Sequence, residues 1–155
     1  MSTEHDPVSY EAAGVSIEAG DKAVELFAPH AKRATRPEVR GGLGGFAGLF
    51  ALGKYKEPLL AAGSDGVGTK LAVAQAMDVH DTIGQDLVGM VVDDIVVVGA
   101  APLAMTDYIA CGAVVPERIA DIVRGIAQAC VARASAHNAG RSARSPSMLN
   151  TPSVT

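Results

Sequence analysis

Gly63-Ser-Asp-Gly-Val-Gly-Thr-Lys70 is the stretch on which the reading of this chain turns. The short apolar run Pro58–Gly63 enters it and the helix-forming run Leu71–Met77 leaves it, so it reads as the corner between a strand and a helix. Two glycines let backbone N–H groups approach an anion closely, Thr69 and Lys70 add a hydroxyl and a cation, and Asp65 can hold Mg²⁺. The order is Gly-Thr-Lys rather than Gly-Lys-Thr, which excludes a P-loop. A tight turn with a solvated lysine would use the same residues.

Working outward, strands and helices are both expected, an α/β (α+β) class. Ile17–Ala34 reads as a helix through Val24, Phe27 and Ala31, with Asp21 as its cap and Pro29 expected to kink or end it early. Residues 1–17 before it read as an extended arm. Phe46–Leu52 and Pro58–Gly63 read as two strands joined by the polar turn Gly53–Glu57, and Leu103–Cys111 as a third. The β-branched run Val91–Val98 could be a strand. However, Ile83, Leu87, Met90, Val91, Ile95 and Val98 sustain a helical period too long for one, so a helix is expected from Asp81 to about Gly99. Pro116–Ala132 is the cleanest helix, with Pro116 and Glu117 in its first turn and Ile119, Ile122, Val123, Ile126 and Cys130 on one stripe.

The 155 residues suffice for one domain with a sizeable core, and 48% are hydrophobic while only 4% are aromatic. Aliphatic layers fit that balance better than a disulfide scaffold. Cys111 and Cys130 match no metal spacing and read as inert buried thiols in a reducing cytoplasm. The N-terminal stretch lacks the basic and apolar segments of a secretory signal. The longest apolar stretch, Leu87–Met105, is broken by Asp93 and Asp94, so no membrane partner is expected. A net charge of −4 argues against a nucleic-acid surface. Residues 131–155 hold three arginines and no acid; the first 130 carry all 17 acids against the other ten of the 13 bases, a net of −7. The composition therefore breaks near Cys130.

Three further groups could carry chemistry. Gly41, Gly42, Gly44 and Gly45, preceded by Arg36 and Arg40, could form a flexible anion-binding lid, or an irregular turn that inserts Leu43 and Phe46 into the core. Asp86 and Asp93 point the same way on a helix, with Asp94 about 100° further round. Acids in so apolar a helix need a partner, whether Mg²⁺, a Lys or Arg, or water. Asp107 in its apolar strand raises the same question. His80, before Asp81, reads as a helix cap.

These segments together resemble one family, the aminoimidazole ribonucleotide synthetases, also called phosphoribosylformylglycinamidine cyclo-ligases. The likeness is carried by Ser9-Tyr-Glu-Ala-Ala-Gly-Val-Ser-Ile-Glu-Ala-Gly20, Arg36-Pro-Glu-Val-Arg-Gly-Gly-Leu-Gly-Gly-Phe46, Ser64-Asp-Gly-Val-Gly-Thr-Lys-Leu71 and His80-Asp-Thr-Ile-Gly-Gln-Asp-Leu-Val88. Val92–Ile95, Gly99–Leu103 and Asp107–Gly112 follow in the family's order. The resemblance covers residues 9–133. It implies a mixed sheet with helices packed on one side and a homodimer that shares a β-barrel. It implies ATP-dependent closure of formylglycinamidine ribonucleotide to aminoimidazole ribonucleotide, with ADP and phosphate released. It implies Asp65 and Asp94 as Mg²⁺ ligands. Gly41, Gly42, Gly44, Gly45, Asp65, Gly66, Gly68, Thr69, Lys70, Asp86 and Asp107 are implied as ATP contacts.

The chain departs from the family pattern at Asp93, where Asn is usual, and after Ala132, where a Gly-Gly-Glu-Thr segment and a second domain are expected. The expected organisation is an ATP-binding domain over 1–132 and an atypical, disordered tail over 133–155. Such a chain is expected to bind nucleotide and to close little ring by itself. The alternatives are a catalytically dead nucleotide-binding dimerisation module, or a superfamily member of the selenophosphate synthetase or thiamine monophosphate kinase kind.

Overall fold

The computed structural model describes residues 9–45 and 47–143, the side chains of 135–143 excepted. Four helices and one small sheet follow in the order α1 (Ile17–Ala34), β1 (Val39–Arg40), β2 (Leu49–Phe50), α2 (Lys70–Met77), α3 (Asp81–Val97) and α4 (Pro116–Ala143). Both α and β elements are thus present, as expected. The expected arm, as far as it is described, is closed by hydrogen-bonded turns: the Ser9 carbonyl accepts from Ala13 N–H at 3.1 Å, and its hydroxyl from Ala12 N–H at 3.0 Å.

Ser16, not Asp21, caps α1, its hydroxyl accepting from the backbone of Ala19 at 3.1 Å. Pro29 does not stop the helix, which continues to Ala34 with Lys32 and Arg33 at its negative end. An internal proline costs about 3 kcal/mol. Packing of α1 along α4, with Ala23 buried, opposes that cost. α2 ends at Asp78, a non-glycine residue in the left-handed region (φ 51°), whose N–H reaches the carbonyls of Ala74 and Gln75.

α3 is a helix through the β-branched run as far as Val97, as its period predicts. Ile83, Gly84, Val88 and Val92 are its buried residues, and Gly84, Val88 and Val92 lie on the stripe facing α4. The core is Val88, Val92 and Ile126, joined by Leu87, Met105, Ile122, Ala129 and Cys130. Two glycines set how closely α3 and α4 pack. A Cβ on Gly125 would collide with the Asp81 carbonyl oxygen, and one on Gly84 with the backbone of Ile122 and Ile126. α4 outruns its expected end at Ala132 and reaches Ala143, where alanines at 132, 134, 136, 139 and 143 favour helix. The remainder of the expected tail, residues 144–155, lies outside the described residues.

The β expectations need correcting. Among the described residues the sheet is not mixed. It is one antiparallel pair, with Val39 opposite Phe50 and Arg40 opposite Leu49. β2 keeps two residues of the expected strand, whose first residue, Phe46, lies outside the described residues. Its partner is the preceding β1 and not Pro58–Gly63, so the hairpin connection is the glycine-rich segment and not Gly53–Glu57. Segments 58–63 and 103–111 have no ladder partner among the described residues. Backbone pairing needs a neighbouring strand at about 4.8 Å, and apolar composition cannot supply one.

Candidate phosphate-loop and acidic site

The 63–70 segment descends on α3 before it turns into α2. A Cβ on Gly63 would stand 3.5 Å from Asp94 Cβ and 3.6 Å from Ile95 Cδ1, so the loop starts against the acidic face of α3. Asp65 Oδ1 accepts from the following Gly66 N–H at 2.7 Å. Gly68 has φ +60°, a value that favours glycine. Thr69 occupies the N-cap position of α2 but makes no side-chain capping bond, so its hydroxyl is uncommitted beside the first N–H groups of the helix.

Lys70 opens α2, and its Nζ lies 3.3 Å from Asp86 Oδ2 on α3, both side chains half exposed. The tertiary fold therefore brings Asp65, Gly66, Gly68, Thr69, Lys70 and Asp86 to one corner, with Asp94 against its entrance. Partners sort the acids of α3: Asp86 has Lys70, Asp81 has Arg124 at 3.6 Å, and Asp93 has Arg133 at 3.7 Å. Asp65 and Asp94 have no ion-pair partner among the described residues.

Two such carboxylates on adjoining segments suit Mg²⁺, which takes few carboxylates and completes its shell with water and phosphate oxygens. Among the described residues no three His, Cys, Asp or Glu side chains cluster as a complete metal cage.

The remaining expected contacts lie elsewhere. Gly41 and Gly44 have φ +90° and +96° in the β1–β2 connection, and open space surrounds the places where Gly41, Gly42 and Gly44 would carry a Cβ. Arg36 is not free for an anion. Its guanidinium donates to both carboxylate oxygens of Glu38, at 3.3 and 3.1 Å, holding that carboxyl below its ordinary range, and lies over the Phe50 ring. Asp107 belongs to the 103–111 segment that supplies Met105 to the core. Burial, and secondarily the Asp107 charge, pushes the Cys130 thiol up. Cys111, expected to be buried, is exposed, because the apolar segment around it lacks a covering layer.

One polar cluster escaped sequence reasoning. His80 is buried to 7% exposure and makes no capping bond; its Nε2 pairs with Asp78 Oδ1 at 3.0 Å. Arg118 of α4 donates to the same oxygen at 2.9 Å. The His80 hydrogen bond, then Arg118, holds the Asp78 carboxyl below its ordinary range. Asp78 and His80 are neighbours in sequence, but nothing local signals an arginine forty residues away. No helix among the described residues is long and apolar enough to cross a membrane.

Residues 47–155 match the family model described as AIR synthase related protein, N-terminal domain. The chain is 57% identical over 140 residues to a phosphoribosylformylglycinamidine cyclo-ligase of Desulfitobacterium hafniense (strain DSM 10664 / DCB-2), an overlap of 89% of this chain and 41% of that protein. It is 56% identical over 144 residues to the protein of the same name from Geobacillus sp. (strain WCH70), covering 92% and 42%. The corresponding figures for that of Anaeromyxobacter dehalogenans (strain 2CP-C) are 53% over 141 residues, 90% and 41%. The chain thus spans about two-fifths of the length of these curated relatives.

Proposed function

Because the chain belongs to the AIR synthase related protein family through its N-terminal domain, we propose that it serves the ATP-dependent cyclo-ligase reaction of purine biosynthesis. The substrate is formylglycinamidine ribonucleotide and the products are aminoimidazole ribonucleotide, ADP and phosphate. The observation that carries the reading is the corner at Asp65–Lys70, where a glycine loop, a helix start and a lysine meet beside two carboxylates that have no ion-pair partner among the described residues.

Gly66 and Gly68 leave room for a triphosphate to approach the backbone, and Thr69 offers a hydroxyl at the start of α2. Asp86 positions Lys70 when the site is empty, and the ammonium can turn to phosphate oxygens when nucleotide arrives. Asp65 and Asp94 would hold Mg²⁺, which supplies charge neutralisation on the transferring phosphoryl group. Asp107 and the glycines at 41, 42, 44 and 45 complete the proposed nucleotide contacts.

The formyl amide oxygen takes the terminal phosphoryl group while the bond to ADP breaks. An amidine-side nitrogen then attacks the activated carbon, phosphate departs, and the nitrogen loses a proton. Phosphorylation makes the poor leaving oxygen a good one, so the protein has to align the reactants and neutralise developing charge.

A second copy of the chain is the proposed partner, sharing a β-barrel. Its support is exposed apolar surface: Leu59 is 98% exposed, Tyr108 90% and Val97 79%, and segments 58–63 and 103–111 have no ladder partner among the described residues. The proposed compartment is the cytoplasm, where an exposed thiol such as Cys111 stays reduced.

The test is isothermal titration of Mg-ATP into Asp65→Asn, Asp94→Asn and Asp93→Asn variants. The first two are expected to bind about tenfold more weakly or worse, a loss of about 1.4 kcal/mol. Asp93→Asn should bind normally, because its partner is Arg133. Unchanged affinity in folded Asp65→Asn and Asp94→Asn proteins would remove the metal assignment.

A further inference from the structure

α2 carries Lys70 at its start, yet little packing holds the helix in place. It has eight residues, of which only Ala74 is buried, and among the described helices and strands it packs against α3 alone. Isolated helices shorter than about 12–15 residues are marginal in water, so a helix of this length depends on what fixes its ends. At the start of α2 the tie is Lys70 to Asp86 of α3. Nucleotide phosphates would compete for that ammonium, so this is the tie that binding breaks.

The other end is held differently. Asp78 closes α2 in the left-handed region, which disfavours a non-glycine residue. Its N–H reaches the carbonyls of Ala74 and Gln75, and the Val79 N–H donates to Ala74 as well, at 3.1 Å. Its Oδ1 meets two partners, Nε2 of the buried His80 at the start of α3 and the guanidinium of Arg118 in the first turn of α4. α4 has no packing contact with α2 among the described residues, so Arg118 links the end of α2 to a helix that α2 does not otherwise touch. An exposed ion pair alone contributes little. Here the same oxygen also meets a buried ring, which fixes where the carboxylate sits.

We propose that Arg118, through Asp78 and His80, is a positioning residue for the nucleotide: it keeps α2, and with it Thr69 and Lys70, in place when phosphate draws Lys70 away from Asp86. The inference rests on the nucleotide reading of the 64–70 loop and adds a residue remote from that loop. At about 1.5 Å per residue, Asp78 lies about 12 Å along the helix axis from Lys70. The cluster therefore acts through α2 and not by touching the phosphates.

The experiment titrates Mg-ATP into the full chain and into Arg118→Ala, Asp78→Asn, Arg118→Lys and Lys70→Ala variants, and follows amide hydrogen exchange in each. Arg118 is half exposed and Asp78 more so, and circular dichroism should show that the variants fold. Arg118→Ala is expected to weaken Mg-ATP about fivefold and to speed exchange at residues 74–77, while exchange in the α3–α4 core stays as it was. Asp78→Asn weakens the same tie from the other side and should do the same. Arg118→Lys keeps a cationic donor and should restore both readouts. Unaltered Mg-ATP affinity in folded Arg118→Ala and Asp78→Asn proteins would overturn the proposal. A loss of affinity without faster exchange in α2 would overturn it by making Arg118 a direct contact. A loss accompanied by faster exchange throughout the α3–α4 core, or one that Arg118→Lys does not restore, would overturn it by reducing the cluster to general stability. Lys70→Ala separates this inference from the reading beneath it. If Lys70→Ala weakens Mg-ATP and the Arg118 and Asp78 variants do not, the phosphate loop stands and the positioning role fails. If Lys70→Ala binds normally, or the unaltered protein does not bind Mg-ATP, the nucleotide reading fails and this inference with it.

Discussion

The α3–α4 pair and the segments 58–63 and 103–111 are both built from small and branched apolar residues, yet they end in opposite states. The helices satisfy their own backbones and bury Val88, Val92 and Ile126 against each other. The extended segments leave Leu59, Leu60 and Tyr108 in water, and among the described residues their backbones have no ladder partner. A helix closes its hydrogen bonds locally and needs a neighbour only for one face. A strand needs a neighbour for its backbone as well. Stability of the single chain should therefore reside in the helical pair, and association in the extended segments.

The largest effect expected from this contrast is at the helix crossing. Gly125→Ala gains up to about 1 kcal/mol in helix propensity but places a Cβ on the Asp81 carbonyl oxygen. Overpacking of about 1–3 kcal/mol should prevail. Urea denaturation should show a lower midpoint, and a higher one would mean that the close approach of α3 and α4 is not what holds the body together.

A smaller effect is expected where α4 meets the α2–α3 linker. The Asp78 carboxyl is held below its ordinary value of about 3.8 by His80 and Arg118. A depressed folded value means that the unfolded chain takes up the proton first. The contribution is thus full above the ordinary aspartate range and is lost as pH falls through the depressed value. Asp78→Asn should be less stable than the unaltered protein at about pH 7, and the difference should vanish at about pH 2. Denaturation midpoints that differ equally at both would show that the carboxyl's charge is not what this cluster uses.

The smallest effect on chain stability sharpens the other side of the comparison. Leu59→Lys and Tyr108→Lys alter exposed residues, and each should change unfolding free energy by no more than about 0.5 kcal/mol. Light scattering at micromolar concentration should nevertheless show a dimer for the unaltered chain and a monomer for the paired variant. A monomer in both would count against the proposed shared barrel.

Much of the helical framework was legible because its signals are local. The period of α3 outweighed its β-branched composition, and Pro116 with Glu117 marked the start of α4. Local signals misled where packing intervened. Pro29 predicts a kink or an early end, but α1 lies along α4 and continues through it to Ala34. The apolar runs were read as strands, but strand pairing is decided by what lies alongside.

The candidate site divides in the same way. The loop Asp65–Lys70 could be read directly, because glycines, a hydroxyl and a cation in six residues carry their chemistry in their order. Which acid of α3 stays uncommitted could not. Asp86, Asp93 and Asp94 are alike in sequence, and only the fold pairs the first with Lys70 and the second with Arg133 while setting the third against Gly63.

By itself the sequence determined where the helices start, the family and the content of the phosphate loop, since periodicity, motif order and turn chemistry act over a few residues. Only the tertiary structure decided the α3–α4 contact at Gly84 and Gly125, the joining of His80, Asp78 and Arg118, and the partner of each carboxylate. Those depend on through-space distances between residues tens of positions apart, and Coulombic and packing forces respond to distance in space.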